Sequence, residues 1–274
     1  MWTQLSRIPV RLPSSSPEGV LEGLPARVAS RVGEAYGDEV GAWAGRAAES
    51  FRAQLADNSA LPHRFVTDLY APSLAFEASE IGAIGDALDV LQVSFDLADN
   101  VADRELDASL GRSYMKSCAD VPLPVLTYLP AVLASRGIAI LHEHFREDRF
   151  NVTFALAKTS AAVGAMLRGQ AEPPDSPLRV ELLSGRQGLL LCLPLWLLVD
   201  RRELPCSVSD FEAWAYQFGC TWELNQVHIA EKTETSGGAW REAVASARLS
   251  WPSFGPFAAG GPLAPRAAMP GCLC

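Results

Sequence analysis

The sequence predicts an all-helical bundle around a central cavity. Three observations lead there. Apolar residues recur at three- and four-residue steps over long stretches, alternating strand patterns are scarce, and the connections between periodic stretches are short. The chain has 274 residues, 49% of them apolar, which is enough for a substantial core. No repeat of fixed period is visible.

Residues 1–24 hold scattered prolines and the run Ser14-Ser15-Ser16-Pro17, and read as an extended lead-in. A helical domain is expected over residues 25–236. Residues 25–54 are rich in Ala, Arg and Glu and fit one or two helices. Pro25 suits a first helical position, where a missing N–H does no harm. Residues 74–102 predict a long helix with Ser73 as N-cap. Its apolar residues Ile81, Ile84, Leu88, Leu91, Phe95 and Ala102 recur at helical spacing. Further helices are expected over 125–135, 138–145, 152–169, 180–199 and 209–232. Residues 237–274 are rich in Gly, Pro and Ala and read as a tail without regular structure.

The net charge of −9 argues against a general nucleic-acid binder, which carries a basic face. Six cysteines stand far apart, except the final Cys272-Leu-Cys274, and none forms a Cys-x-x-Cys pair. They are read as reduced thiols of a cytoplasmic protein. No signal peptide is evident at the start, and Gly271 stands where a prenylation box needs cysteine. The longest apolar run, 189–199, is too short to cross a membrane and contains Pro194, so it is expected as a buried, kinked helix. No stable membrane span is expected.

Asp96, Asp99 and Asp103 are the most informative residues. At about 100° per residue, their spacing puts three carboxylates on one helix stripe, which Asp107 extends. Carboxylates so crowded repel one another and call for a cation, most naturally a hard divalent metal with oxygen ligands. The apolar band of the same helix lies immediately beside the stripe, so the carboxylates border the buried face. They also fall near the helix C-terminus, where the macrodipole disfavours negative charge. The plain alternative is a solvated acidic face with Arg104 as local partner.

Several other polar and aromatic groups have simpler roles. His142 and His144 point about 200° apart on a helix and cannot chelate one ion from one face. His228 is expected to be a satisfied polar group, with a base as the alternative. Trp196, Trp214 and Trp222 are expected in the core, with a cavity-lining, cation-stabilising role as the alternative. Phe95 is expected to pack, or else to cap an apolar pocket. Two cysteines at the tail do not make a structural metal site.

The stretch Leu97-Ala-Asp99-Asn100-Val-Ala-Asp103-Arg-Glu resembles the first aspartate-rich motif of trans-isoprenyl diphosphate synthases. Asn100 stands where that motif has its second aspartate. Met166-Leu-Arg168-Gly-Gln170 resembles the Gly-Gln segment of the mid-chain helix, and Leu183-Ser-Gly185-Arg186-Gln-Gly188 resembles the Lys-Thr-Gly segment, without its lysine. Phe218-Gly219-Cys-Thr-Trp-Glu223-Leu-Asn225-Gln226-Val-His228 is similar to the region of the second aspartate-rich motif, but holds no aspartate. The pattern of class I terpene synthases fails there too, since Asn225 is followed at its spacings by Ile229 and Thr233. A basic segment for a second diphosphate is not recognisable; Pro62-His63-Arg64 stands near its place, and one arginine replaces a cluster.

The resemblance covers residues 60–235. It implies an isoprenoid-synthase-type bundle and magnesium-assisted loss of diphosphate from an allylic prenyl diphosphate, by prenyl transfer or by ionisation and cyclisation. It implies Asp99 and Asp103 as magnesium ligands and catalytic groups, with Asp96 as ligand or supporting partner. Glu223 and Gln226 are the candidate ligands of the second metal region. Arg168 and Arg186, or Arg104, are the candidate diphosphate contacts. The implied partners are the prenyl diphosphate and a second subunit, either an identical copy or a related synthase. The eroded second motif leaves a non-catalytic relative that binds a partner synthase or prenyl ligand as the alternative.

Overall fold

The computed structural model describes residues 16–57, 63–74, 76–102, 114–146, 149–173, 188–198 and 207–216, with a few single positions besides. No strand occurs among them, and the fold is all-α. The chain divides into two compact units, Arg11–Arg149 and a second that runs on from Phe150.

In the first unit, α1 (Pro17–Tyr36) and α2 (Asp38–Asp57) form a helical hairpin. Helix α1 begins at Pro17, ahead of Pro25, because Ser16 caps it: the Gly19 N–H donates to Ser16 Oγ at 3.2 Å. Pro17 takes the tolerated early position and Pro25 lies inside the helix. A proline there removes the one N–H that would bond the Leu21 carbonyl, and Arg27 Nη2 donates to the adjacent Val20 carbonyl at 2.8 Å. Gly37 turns the chain between the helices at φ 92°, a conformation that side chains disfavour. The hairpin crosses closely at Gly41, where a Cβ would lie 2.7 Å from the Ala29 carbonyl.

Helix α3 (His63–Tyr70) runs into a 3-10 turn at Ala71–Leu74, and α4 (Ala78–Ala102) follows. Ser73 therefore lies in that turn and does not cap α4. Glu77 precedes the helix, accepts from Ile81 N–H at 3.0 Å, and its own N–H donates to Glu80 Oε2 at 2.9 Å. The first of these is the opening backbone bond of the helix, and the second is one half of a capping box, in which the third helical residue reaches back to the N–H ahead of the helix.

After a 3-10 turn at Tyr114–Cys118, α5 (Leu123–His144) runs unbroken through the position where two helices were expected. Gly137 does not end it. Instead it lets α5 lie directly on α4, since a Cβ there would come within 2.8 Å of Leu91 Cγ. Helix α4 is buried on nearly every side: Ile84, Ala87, Leu88, Val90 and Val93 have no exposure at all. Val28 and Val32 of α1 and Leu133 and Leu141 of α5 complete this core. Phe76 and Phe145 close one end in an edge-on contact at 6.2 Å. Among the described residues, α5 is the one helix long and apolar enough to cross a membrane by length and composition. It also carries the buried Arg136, whose Nε donates to the Arg31 carbonyl at 2.7 Å and whose Nη1 pairs with Glu143 at 2.7 Å.

The second unit contains α6 (Arg149–Ala171), a 3-10 turn at Leu189–Cys192 continued as one α-turn at Leu193–Trp196, and a helical stretch over 208–216. The expected helix over 180–199 is thus short where described, and Pro194 sits in the first turn of its last piece, the position it tolerates. Trp196 is buried, and its indole N–H donates to Glu212 Oε1 at 2.8 Å. The same carboxylate pairs with Lys158 of α6 at 2.9 Å. Trp214 is also buried, packed on Phe211 with ring centroids 4.8 Å apart. The core role expected for these two tryptophans holds; Trp222 lies outside the described residues.

Candidate functional site

Helix α4 carries a deeper polar series that begins upstream of the predicted stripe and joins it at Asp96. Asp86, Asp89, Gln92, Asp96 and Asn100 follow one another at three- and four-residue steps, so they share a side of the helix. Asp86, Asp89, Gln92 and Asn100 are buried and Asp96 is half-buried. A carboxylate removed from water costs several kcal/mol unless it is paired, so each of these groups needs a partner.

Arginines from two other helices supply the partners for the upstream pair. Arg64 Nη1 of α3 bonds both carboxylates, Asp86 Oδ1 at 2.6 Å and Asp89 Oδ2 at 2.9 Å. Arg31 of α1 closes on Asp86 Oδ2 at 2.7–2.8 Å, and Arg27 Nε reaches Asp89 Oδ2 at 2.8 Å. Three guanidiniums thus enclose two buried carboxylates. Burial alone would lower the Arg64 pKa, but Asp89 and Asp86 outweigh it and hold the guanidinium above its ordinary range. Gly85 leaves room for that side chain to lie across α4, since a Cβ there would stand 2.9 Å from Arg64 Cζ.

Asp68, one turn after Arg64 on α3, adds a third carboxylate to the cluster. Burial pushes its carboxyl up to about 6, with Arg64 opposing and Asp89 adding to the rise. The folded-state pKa lies above the unfolded value, so ionised Asp68 destabilises the fold and the penalty disappears as pH falls through about 6 toward the unfolded value of 3.8. Asp68→Asn is therefore expected to stabilise the protein at pH ~7.5 by on the order of 1 kcal/mol, allowing for solvent screening at a partly exposed group. The gain should shrink toward zero near pH ~4. Urea denaturation of both proteins across this pH range measures it; a gain that does not vary with pH would mean the carboxyl is solvated.

Further along α4, Asn100 Nδ2 donates to Asp96 Oδ2 at 2.9 Å. The residue that replaces an aspartate in the predicted motif thus faces inward and holds its neighbour's carboxylate. Asp99 is exposed and Phe95 is half-buried. Asp103, Arg104 and Asp107 lie outside the described residues, as do Arg186, Glu223, Asn225, Gln226 and His228. Arg168 is exposed near the end of α6, in the second unit. Among the described residues no three His, Cys, Asp or Glu side chains converge into a metal-binding group. His142 and His144 are exposed in the last turn of α5. Cys118 and Cys192 are buried and form no disulfide, and burial pushes the Cys118 thiol up to about 11, which leaves it inert at neutral pH.

Gly188 and Gly219 meet within the second unit. A Cβ on Gly188 would lie 2.2 Å from the Ala215 carbonyl and 2.8 Å from the Gly219 nitrogen, so the backbones touch where these glycines pass. No family model, curated protein or solved structure matches the chain.

Sequence reading missed Asp86, Asp89, Arg27 and Arg31. The available signal was two acidic residues three apart inside a stretch apolar on all sides, where a charge has to be paired.

Proposed function

We propose that the chain is a magnesium-dependent isoprenoid synthase that ionises an allylic prenyl diphosphate and releases diphosphate. What supports it is the end of α4, where Asp96 and Asp99 stand one turn apart and Asn100 orients the first of them. Their donor chemistry suits magnesium, which is commonly held by one or two carboxylates together with substrate phosphates. Asp96, Asp99 and Asp103 are the residues that would hold it, with Glu223 and Gln226 as further candidate ligands and Arg168 and Arg186 as candidate diphosphate contacts. The ion would supply charge neutralisation on the leaving group. Asn100 fixes the direction of the Asp96 carboxylate, which is the contribution of an outer partner to a metal ligand.

Arg64 favours ionisation or cyclisation of one substrate over chain elongation. Elongation needs a second diphosphate held by several cationic donors. Arg64, the basic residue near the expected place, is bound to Asp86 and Asp89. The same engagement favours a second reading, a non-catalytic relative that retains a prenyl ligand or a partner synthase.

The test is incubation of the full chain with geranyl, farnesyl or geranylgeranyl diphosphate and magnesium, with and without isopentenyl diphosphate, measuring diphosphate release. Release is expected, unchanged by isopentenyl diphosphate. Asp99→Ala and Asp103→Ala are expected to abolish it, and Asn100→Ala to lower it about 10–100-fold. No release from any of the three substrates rejects the enzyme; ligand retention in the same samples then supports the non-catalytic relative.

A further inference from the structure

Midway along the polar series of α4 lies a contact that neither the ion cluster nor the proposed reaction uses. His63 is completely buried and Gln92 is 1% exposed. The two make a two-point pair: the His63 backbone N–H donates to Gln92 Oε1 at 3.4 Å, and Gln92 Nε2 meets His63 Nδ1.

The positions give this pair a structural task. His63 is the first residue of α3, and the first N–H groups of a helix have no partner within it. Gln92, from the middle of α4, satisfies one of them. Its amide therefore works in one orientation: the oxygen caps α3, and the NH2 group faces the imidazole nitrogen. An NH2 group can only donate, so Nδ1 accepts and the neutral ring carries its proton on Nε2.

A second proton upsets both contacts. With Nδ1 protonated, two donors face each other across a buried gap. Turning the amide around repairs the ring contact but sets its NH2 group against the backbone N–H. Either way a buried donor at the start of α3 is left unmade, which is costly. We propose that His63 and Gln92 form a proton-sensitive clasp that fastens the N-terminus of α3 to α4 and opens when the ring is protonated.

Among the described residues, the charged groups around α3 are Arg64 and Asp68 on α3 itself, Asp86 and Asp89 on α4 with Asp96 one turn beyond Gln92, and Arg27 and Arg31 on α1. The 3-10 turn Ala71–Leu74 brings no titratable side chain. The guanidiniums are engaged by Asp86 and Asp89. Asp68 acts with the opposite sign, since its protonation stabilises the fold as pH falls. The test is therefore made in wild type and repeated on an Asp68→Asn background.

Amide hydrogen exchange of the full chain, corrected for intrinsic rates, is compared at pH ~7.5 and pH ~5. Peptides spanning 63–70 are expected to lose protection about tenfold at the lower pH, relative to peptides of α5, in line with one unmade buried bond. Two variants separate the clasp from general acid loosening. His63→Asn keeps an acceptor beside the Gln92 amide but cannot take up a proton, and its protection is expected not to change with pH. Gln92→Glu keeps the cap and accepts from an imidazolium, so it too is expected to hold α3 at low pH. The proposal is overturned if wild-type α3 keeps its protection at pH ~5, or if His63→Asn loses protection as wild type does. Should Gln92→Glu fail to fold, those two comparisons decide alone.

Discussion

Arg64→Met should lower the stability of the first unit by about 3 kcal/mol, a fall of roughly 10 °C in melting temperature. Methionine keeps most of the apolar stem in the groove that Gly85 leaves open. What it removes is the one guanidinium that touches both Asp86 and Asp89. Each carboxylate retains one arginine, Arg31 or Arg27, yet both stay buried, at 8% and 2% side-chain exposure. Breaking a buried ion pair from one side costs more than the pair contributes, because each buried carboxylate loses a charged donor that water does not replace. The check is a double-mutant cycle by chemical denaturation. Asp89→Leu alone should also destabilise, whereas Arg64→Met with Asp89→Leu should recover part of the loss, giving an interaction energy of about 1–3 kcal/mol. Arg27 can then turn to solvent, since it is already 27% exposed. A loss below about 0.5 kcal/mol for Arg64→Met, the range of ordinary surface substitutions, would show that the cluster is solvated.

This cluster marks where the sequence was legible and where it was not. The long helix ending at Ala102 follows from apolar periodicity, because packing on several sides needs apolar residues at helical steps and nothing else. Its beginning was less legible. Ser73 suggests a cap by residue type, but the helix starts at Ala78 and the Glu80 carboxylate accepts from the Glu77 N–H ahead of it, a local geometry that residue types only suggest. Asp96, Asp99 and Asp103 are legible as a group because they lie close together in sequence. Asp86 and Asp89 did not, because their partners Arg27, Arg31 and Arg64 lie 22–62 residues away. Periodicity locates a helix face and says nothing of which distant cation meets it. Gly137 shows the same limit: a glycine between two apolar stretches suggests a break, whereas here it is the contact surface of one continuous helix with Leu91.

Gly188→Ala should be the most damaging single methyl in the second unit, costing at least about 3 kcal/mol and depressing the yield of folded protein. The added carbon would stand 2.2 Å from the Ala215 carbonyl oxygen and 2.8 and 2.9 Å from the nitrogen and Cα of Gly219. These are backbone atoms, so no rotamer change relieves the overlap. The segments have to move apart, and the chain on both sides of that contact packs tightly: Leu190, Leu191 and Cys192 are buried on one segment, and Phe211, Trp214 and Ala215 on the other. Gly164→Ala is the control within the same unit. Nothing lies within 4 Å of a Cβ there, and the position is inside α6, so alanine should be neutral or stabilise by up to about 1 kcal/mol. Parallel urea denaturation of the two variants separates a packing effect from a general response to losing glycine. Equal effects from the two would place the close approach elsewhere. The expected contrast also bears on the resemblance, because Gly188 and Gly219 fall in two of its segments. Close packing alone is a sufficient reason for glycine at position 188, so this glycine adds nothing to the case for a diphosphate site, which stands on Asp96, Asp99 and Asn100.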